Sequence, residues 1–378
     1  MYISANAKRL VLSGSEREIL NIVRRQGSIS RADITAHTNL SQQSVHRIVD
    51  GLIQRRLLAT QKAIVKGRGK PSPQIILDTA SSASIGVSLS TNIIEYTAVD
   101  LSGRTICDGA LNAAPNDREA ALAELANLTS ELAGSGPLAD RRFIGIGVAV
   151  QGYRTTHRNR FTTPVPLDNW ARVPIDEIFE KHLKYASFVE NNATSAAIAE
   201  LYCGGGKSHG CFGYLSFNLG FGCGIIWDEK PVFGGHGNAG EISSIFLDDE
   251  APHRPALGEL QKRLSDRGLK LTFQQLLDEF DPEWPGVAEW IEEVRPNLNL
   301  VIRGLSSILD PNAIFFGGEA PAELRKLLIE ACGPAEKDRF GITKPYPELL
   351  LSDISGDAAT LGAAMLPLQQ IVFRNHAF

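Results

Sequence analysis

Ser15, Ser30 and Ser41 each stand at the head of a short segment whose apolar residues recur at helical spacing, so three capped helices must pack together near the start of this chain. Ser15-Glu-Arg-Glu18 has the form of a capping box, with Ile19, Leu20, Ile22 and Val23 behind it and Gly27 placed to end the helix. Ser30 opens a second segment, from Arg31 to about His37. After the break Thr38-Asn-Leu40, Ser41 opens a third, with Val45, Ile48, Val49, Leu52 and Ile53 on one face. Gln42, Gln43, Ser44, His46 and Arg47 are left at its polar beginning. Two short helices around a tight break, the second polar at its N-terminal end, form the helix-turn-helix pattern. Gln and Arg carry the planar donors and acceptors that read A and G edges in the major groove.

Leu57–Ala59 and Gln74–Leu77 read as two short strands. Between them Lys66-Gly-Arg-Gly-Lys70 forms a basic tip, whose Arg68 and Lys70 suit phosphates or the minor groove. The expectation is a winged helix-turn-helix over 1–78 that meets double-stranded DNA, the alternative being a packing module for protein contacts. Charge favours DNA. Residues 1–78 hold 13 Lys and Arg against 5 Asp and Glu, a net of +8; the rest hold 25 against 38, a net of −13. The five cysteines include no Cys-x-x-Cys pair, the N-terminus shows no secretion signal, and no run of about 18 apolar residues exists. A reducing, cytoplasmic setting is expected, away from membranes.

Residues 79–84, Thr-Ala-Ser-Ser-Ala-Ser, read as a linker. Beyond them strands and helices alternate: strands at Ile85–Leu89, Ile93–Asp100 and Phe143–Val150, helices at Arg118–Ala133 and Ala193–Leu201, further strands at Gly213–Asn218 and Gly224–Trp227. Helices near 257–265, 273–280 and 287–309 then lead to a short strand at 313–316. The body is of the α/β class. Gly204-Gly-Gly-Lys-Ser208 fails as a phosphate loop, because the Gly that must stand five residues before its Gly-Lys pair is Leu201.

Several segments, in order, carry a resemblance. They are Gly145-Ile-Gly-Val-Ala-Val-Gln-Gly152, Glu190-Asn-Asn-Ala193, Gly220-Phe-Gly-Cys-Gly-Ile-Ile226, Ala239-Gly-Glu-Ile242, Asp310-Pro-Asn-Ala-Ile-Phe-Phe-Gly-Gly318 and Leu361-Gly-Ala-Ala364. Together the body resembles the ROK family of repressors, open reading frames and sugar kinases. Leu40–Val49 and Gly67-Arg-Gly-Lys-Pro-Ser72 are similar to its repressor branch. The resemblance implies a two-lobed actin/hexokinase-like (ribonuclease-H-like) fold over 85–378, assembled as a homodimer or tetramer. Lobe one would span about 85–188 with the C-terminal helix, and lobe two about 189–350.

The departures from the family shape the functional expectation. Its kinases carry an Asp-x-Gly-Gly-Thr phosphate loop where this chain has Ser88-Leu-Ser-Thr91, and a catalytic Asp where it has Asn192, an amide unable to take a proton. A third loop begins Asn218-Leu219 in place of Gly-Thr. No catalytic residue and no cofactor are expected. No metal is expected either, because Ser244, Pro252, Arg254 and Glu259 align with the zinc ligands His, Cys, Cys and Cys. Asn191, Asn192 and Glu241 match sugar-contacting positions and are expected to bind a small carbohydrate or polyol effector in the cleft. The chain is therefore expected to be a DNA-binding transcriptional regulator, in the sense of a repressor, of carbohydrate-related genes, bound to a pseudo-palindromic operator. A constitutive regulator without ligand, or an active sugar kinase, are the alternatives.

Overall fold

The computed structural model describes residues 10–62, 73–155, 159–247, 249–333, 337 and 339–373. At the head, α1 spans Gly14–Gln26, β1 Ile29–Ser30, α2 Arg31–Ala36, α3 Gln42–Gln54, β2 Leu58–Gln61 and β3 Gln74–Leu77. Ile19, Leu20, Val23, Ile34, Val45, Val49 and Leu52 are fully buried and form its core. The three strands pair antiparallel in the order β1-β3-β2, with Ile29 opposite Ile75 and Leu58 opposite Leu77. Strand β1 is an addition to the sequence reading. The first cap is a correction, since Ser13 and not Ser15 closes the box: Glu16 N donates to Ser13 Oγ at 3.3 Å and Ser13 N to Glu16 Oε2 at 2.7 Å. The Ser-x-x-Glu pattern occurs twice here, two residues apart. The earlier frame wins because it also aims Glu16 at Arg55, Nη1 to Oε1 2.7 Å. Ser30 and Ser41 cap α2 and α3 as expected, and Gly27 ends α1 at φ 68°.

The body continues with β4 (Ser82–Leu89), β5 (Ile94–Asp100), β6 (Thr105–Ala110), α4 (Arg118–Gly134), β7 (Arg142–Val150), β8 (Tyr153–Arg154), β9 (Phe161–Thr162), α5 (Ile175–Leu183), β10 (Ser187–Asn191) and α6 (Asn192–Cys203). There follow β11 (Phe212–Phe217), β12 (Phe221–Trp227), β13 (Lys230–Pro231), α7 (Leu257–Asp266), α8 (Phe273–Asp278), α9 (Val287–Leu309), β14 (Ala313–Gly317), α10 (Ala322–Ala331), β15 (Glu348–Leu351) and α11 (Ala358–Leu368). The chain forms two compact units. One is Met1–Gln151, Thr163–Glu190 and Ala363–Phe378, and so includes the head; the other is Gly152–Thr162 and Asn191–Gly362.

The first unit carries a sheet in the order β10-β7-β4-β5-β6, with β4 parallel to β7 and antiparallel to β5. Strand β4 is buried along its whole length. It begins at Ser82, inside the stretch read above as a linker. Serines can be buried there because their hydroxyls find acceptors: Ser84 Oγ donates to Ala364 O at 2.6 Å and Ser81 Oγ to Asp78 O at 2.9 Å. The second unit carries the order β13-β12-β11-β14-β15, with β11, β14 and β15 parallel and β12 antiparallel. It extends to Gly362, beyond the expected end near 350, because the first turns of α11 belong to it. Among the described residues no helix is long and apolar enough to cross a membrane.

Candidate DNA-facing helix and effector site

On α3 the apolar positions Val45, Val49 and Leu52 are buried, which turns Gln42, Gln43, His46 and Arg47 outward as exposed side chains over the first two turns. Ser44, also expected at the DNA-facing start of the helix, is half-buried, and its hydroxyl lies 2.9 Å from Ser41 Oγ. Helix α2 holds α3 in place through Arg31, whose Nη2 meets Asp50 Oδ1 at 2.6 Å; the bond lowers the Asp50 carboxyl below its ordinary value. Arg68 and Lys70 lie outside the described residues.

The second unit brings Asn191 and Glu241 together from positions fifty residues apart. Asn191 caps α6, its Oδ1 accepting from Ala193 N at 2.8 Å and Thr194 N at 3.3 Å. Its Nδ2 donates to Gly152 O at 2.8 Å and to Glu241 Oε1 at 3.2 Å. A primary amide has two donors and two acceptor lone pairs, and all four are used. Asn191, expected to touch a ligand, here caps α6 and holds Glu241. Asn192, the next residue, is half-buried at the first position of α6. Glu241 is also half-buried, and burial raises its carboxyl above the usual carboxylate range.

The loop that carries Glu241 lies flat on β12. Gly240 has φ 97°, and a Cβ there would sit 2.1 Å from Cys223 O, so no other residue fits. Asn238, which sequence reasoning missed, joins this loop to β8: Arg154 N donates to its Oδ1 at 2.7 Å, and its Nδ2 donates to Arg154 O at 2.9 Å. Arg154, also missed, is buried with its guanidinium 4.7 Å from the Phe161 ring centre. An Asn two residues before Gly-Glu was the available signal, but nothing local distinguishes it from a turn residue.

Three places where phosphate or metal chemistry would be sought are occupied by the chain itself. Asn218 Oδ1 accepts from Glu319 N at 2.8 Å, while Leu257 N and Gly258 N at the start of α7 donate to Asn218 O and Leu219 O. The amides of Gly205 and Gly206 donate to Glu200 Oε1 at 2.7 and 3.3 Å, so this glycine run has no N–H groups to spare for a phosphate. Arg254 and Glu259, two of the positions aligned with zinc ligands, form an ion pair at 3.2 Å.

Comparison with known proteins decides the family. The ROK family model matches residues 84–370, and the MarR family model matches 12–69. The chain belongs to the ROK family. The xylose repressor of Bacillus spizizenii is 21% identical over 376 residues, spanning 95% of this chain and 96% of its own. A ROK family transcriptional regulator homologous to the Escherichia coli MLC protein shares the fold over 95% of this chain and 96% of its own, with a TM-score of 0.71 at 17% identity. A ROK family glucokinase from Streptomyces griseus, solved with glucose and AMPPNP, covers 75% of this chain and 99% of its own, with a TM-score of 0.62 at 21% identity. As a ROK protein, the chain combines a MarR-like winged helix with an actin/hexokinase-like body, and it is homologous over nearly its whole length to a xylose repressor.

Proposed function

We propose that this ROK protein is a cytoplasmic, sequence-specific DNA-binding repressor of carbohydrate-related genes, with a body that binds a small polyhydroxylated effector and transfers no phosphoryl group. The observation that carries the reading is the exposed Gln42, Gln43, His46 and Arg47 set at the start of a capped, buttressed helix on the same chain as a sugar-kinase-like body. Full-length similarity to a xylose repressor supports the carbohydrate class. Gln43 and Arg47 read base edges, Gln42 and His46 flank them, and Arg68 and Lys70 hold the DNA backbone or narrow groove. Two copies present two such helices to a pseudo-palindromic operator.

Lack of catalysis is supported by chemistry. Asn192 cannot act as a general base, Ser88 is a neutral residue buried in β4, and the Asn218 loop satisfies its own polar groups. The effector contacts are Asn192 and the second carboxylate oxygen of Glu241, with Asn191 fixing the first. The Arg254–Glu259 ion pair supports a body without zinc. The test selects operators from a random DNA pool and titrates the winner with a carbohydrate panel. The expected outcome is one palindromic sequence whose affinity changes with one sugar or polyol, and no sugar-dependent ADP release. Steady ADP release with any common hexose overturns the non-catalytic reading.

A further inference from the structure

Helix α1 presents a second face besides its apolar one. Ile19, Leu20 and Val23 enter the core of the head, whereas Arg17, Asn21 and Arg24 recur at i, i+4 and i+7 on a polar side. Arg17 is a charged residue only 8% exposed. It meets Leu12, whose O accepts from Nε at 3.4 Å, and residues near the C-terminal end of the chain. Beyond α11 the helix widens into a π-turn at Gln369–Phe373, and a helix end has main-chain carbonyls without intrahelical donors. Here the head supplies donors: the Arg17 guanidinium donates to Ile371 O, and Asn21 Nδ2 donates to Phe373 O as well as to Arg17 O at 3.0 Å. A cation at a helix C-terminus is also favoured by the helix dipole. The Phe373 ring is buried, with the Arg24 guanidinium 5.6 Å from its centre.

The same helix is anchored at two further points. Pro367 has no N–H for Ala363 O, and a Cβ on Gly147 of β7 would come within 1.8 Å of that oxygen; Ser84 of β4 donates to Ala364 O at 2.6 Å. Immediately before Ala363, in the second unit, Gly362 lies so close to α6 that a Cβ would be 1.7 Å from Ser195 O. Helix α6 is the one capped by Asn191, the residue that holds Glu241. From the effector residues to the DNA-binding head the chain of contacts is therefore Glu241, Asn191, α6, α11, the π-turn and α1.

We infer that the C-terminal π-turn is a latch, with Arg17, Asn21 and Arg24 as positioning residues, that makes the DNA-binding head follow α11 and so carries the state of the effector site to the operator. This rests on the proposed effector reading, since a latch without a ligand-driven change upstream has nothing to transmit. Without the latch, the head keeps its own core and its recognition helix but no longer reports on the body.

The experiment uses full-length protein with Arg17→Met, which keeps the packed stem and removes the donors, and the milder Asn21→Ala. A single effector taken from the carbohydrate panel is measured by calorimetry, and operator affinity is measured with and without it. In the wild type the effector is expected to change operator affinity roughly 5- to 150-fold. In either variant effector binding and ligand-free operator affinity should stay within about threefold of the wild type, while the effector-induced change shrinks towards one; Arg17→Lys, which restores a charged donor group, should recover part of it. An undiminished response in Arg17→Met and Asn21→Ala overturns the latch. If the wild type binds no carbohydrate, the effector reading fails, and hydrogen exchange then judges the latch by itself. The amides of α1 and of 369–373 should exchange at least tenfold faster in Arg17→Met than in the wild type, those of α4 unchanged. Equal protection in both proteins refutes it.

Discussion

Asn191→Asp is the substitution that separates a post from a ligand contact. Asp accepts hydrogen bonds as Asn does and caps helices equally well, so α6 keeps its N-terminus. What changes is the other end of the side chain, where Nδ2 now lies 3.2 Å from Glu241 Oε1 and an oxygen would replace it. Two full charges at that separation repel by about 5 kcal/mol at an effective dielectric of about 20. Taking up one proton at pH 7 by a carboxyl of ordinary affinity costs less, about 3–4 kcal/mol. Proton uptake therefore wins, and the pair shares one proton with a raised folded-state affinity. The sign follows from linkage. A carboxyl that binds its proton more tightly folded than unfolded contributes stability below the unfolded value and loses it as pH rises through the folded one. Relative to the wild type, Asn191→Asp should cost about 3–4 kcal/mol at pH 7, shrinking by about 1.4 kcal/mol per pH unit to about 1 kcal/mol near pH 5. Asn191→Ala removes the cap and the donors without adding charge, and should cost a pH-independent 1–3 kcal/mol or so. Urea unfolding of the three proteins at pH 5, 6 and 7 reads both. A gap between Asn191→Asp and the wild type that is the same at pH 5 and pH 7 would show that residues 191 and 241 do not meet.

Three further outcomes follow from the geometry. Burial raises the Glu241 carboxyl, so an effector held by its carboxylate should bind more weakly as pH falls, with the decline setting in above the ordinary carboxylate range; calorimetry from pH 7.5 to 5 should show this in the wild type and a flat profile in Glu241→Gln. Gln43→Ala or Arg47→Ala should weaken operator binding by about 1–3 kcal/mol and relax base preference, whereas Lys70→Ala should weaken all sequences alike and flatten the salt dependence; unchanged operator preference in Arg47→Ala sinks the assignment of α3. Glu200 is fully buried and accepts from Gly205 N, Gly206 N and Ser352 Oγ, so Glu200→Ala strands three donors and should cost roughly 3 kcal/mol or more in thermal or urea unfolding, a loss under 1 kcal/mol contradicting this account.

What the sequence makes legible here divides by the range of the forces involved. Helix caps, apolar periodicity and the polar start of α3 are set within a few residues, and they read correctly for α2 and α3. The first cap misleads because two overlapping boxes are locally equivalent, and the tie is broken by Arg55, distant in sequence. The stretch 79–84 looks like a linker by composition, yet Ser82 to Ser84 are buried strand, and Ala364 O, far along the chain, accepts from the Ser84 hydroxyl that composition treats as solvent-loving. The proposed effector residues divide in the same way. That Asn191 and Glu241 meet is expected from the order of motifs, but which of the two has a free group is not. An amide becomes a post or a contact according to how many of its four hydrogen bonds the protein has already claimed, and for Asn191 two of those partners, Gly152 O and Glu241, come from other segments. The chemistry of a buried amide is thus fixed by its neighbours more than by its identity. Exchanging Asn191 for Asp, which alters the donors and leaves the cap, is for that reason more informative about this site than removing the side chain.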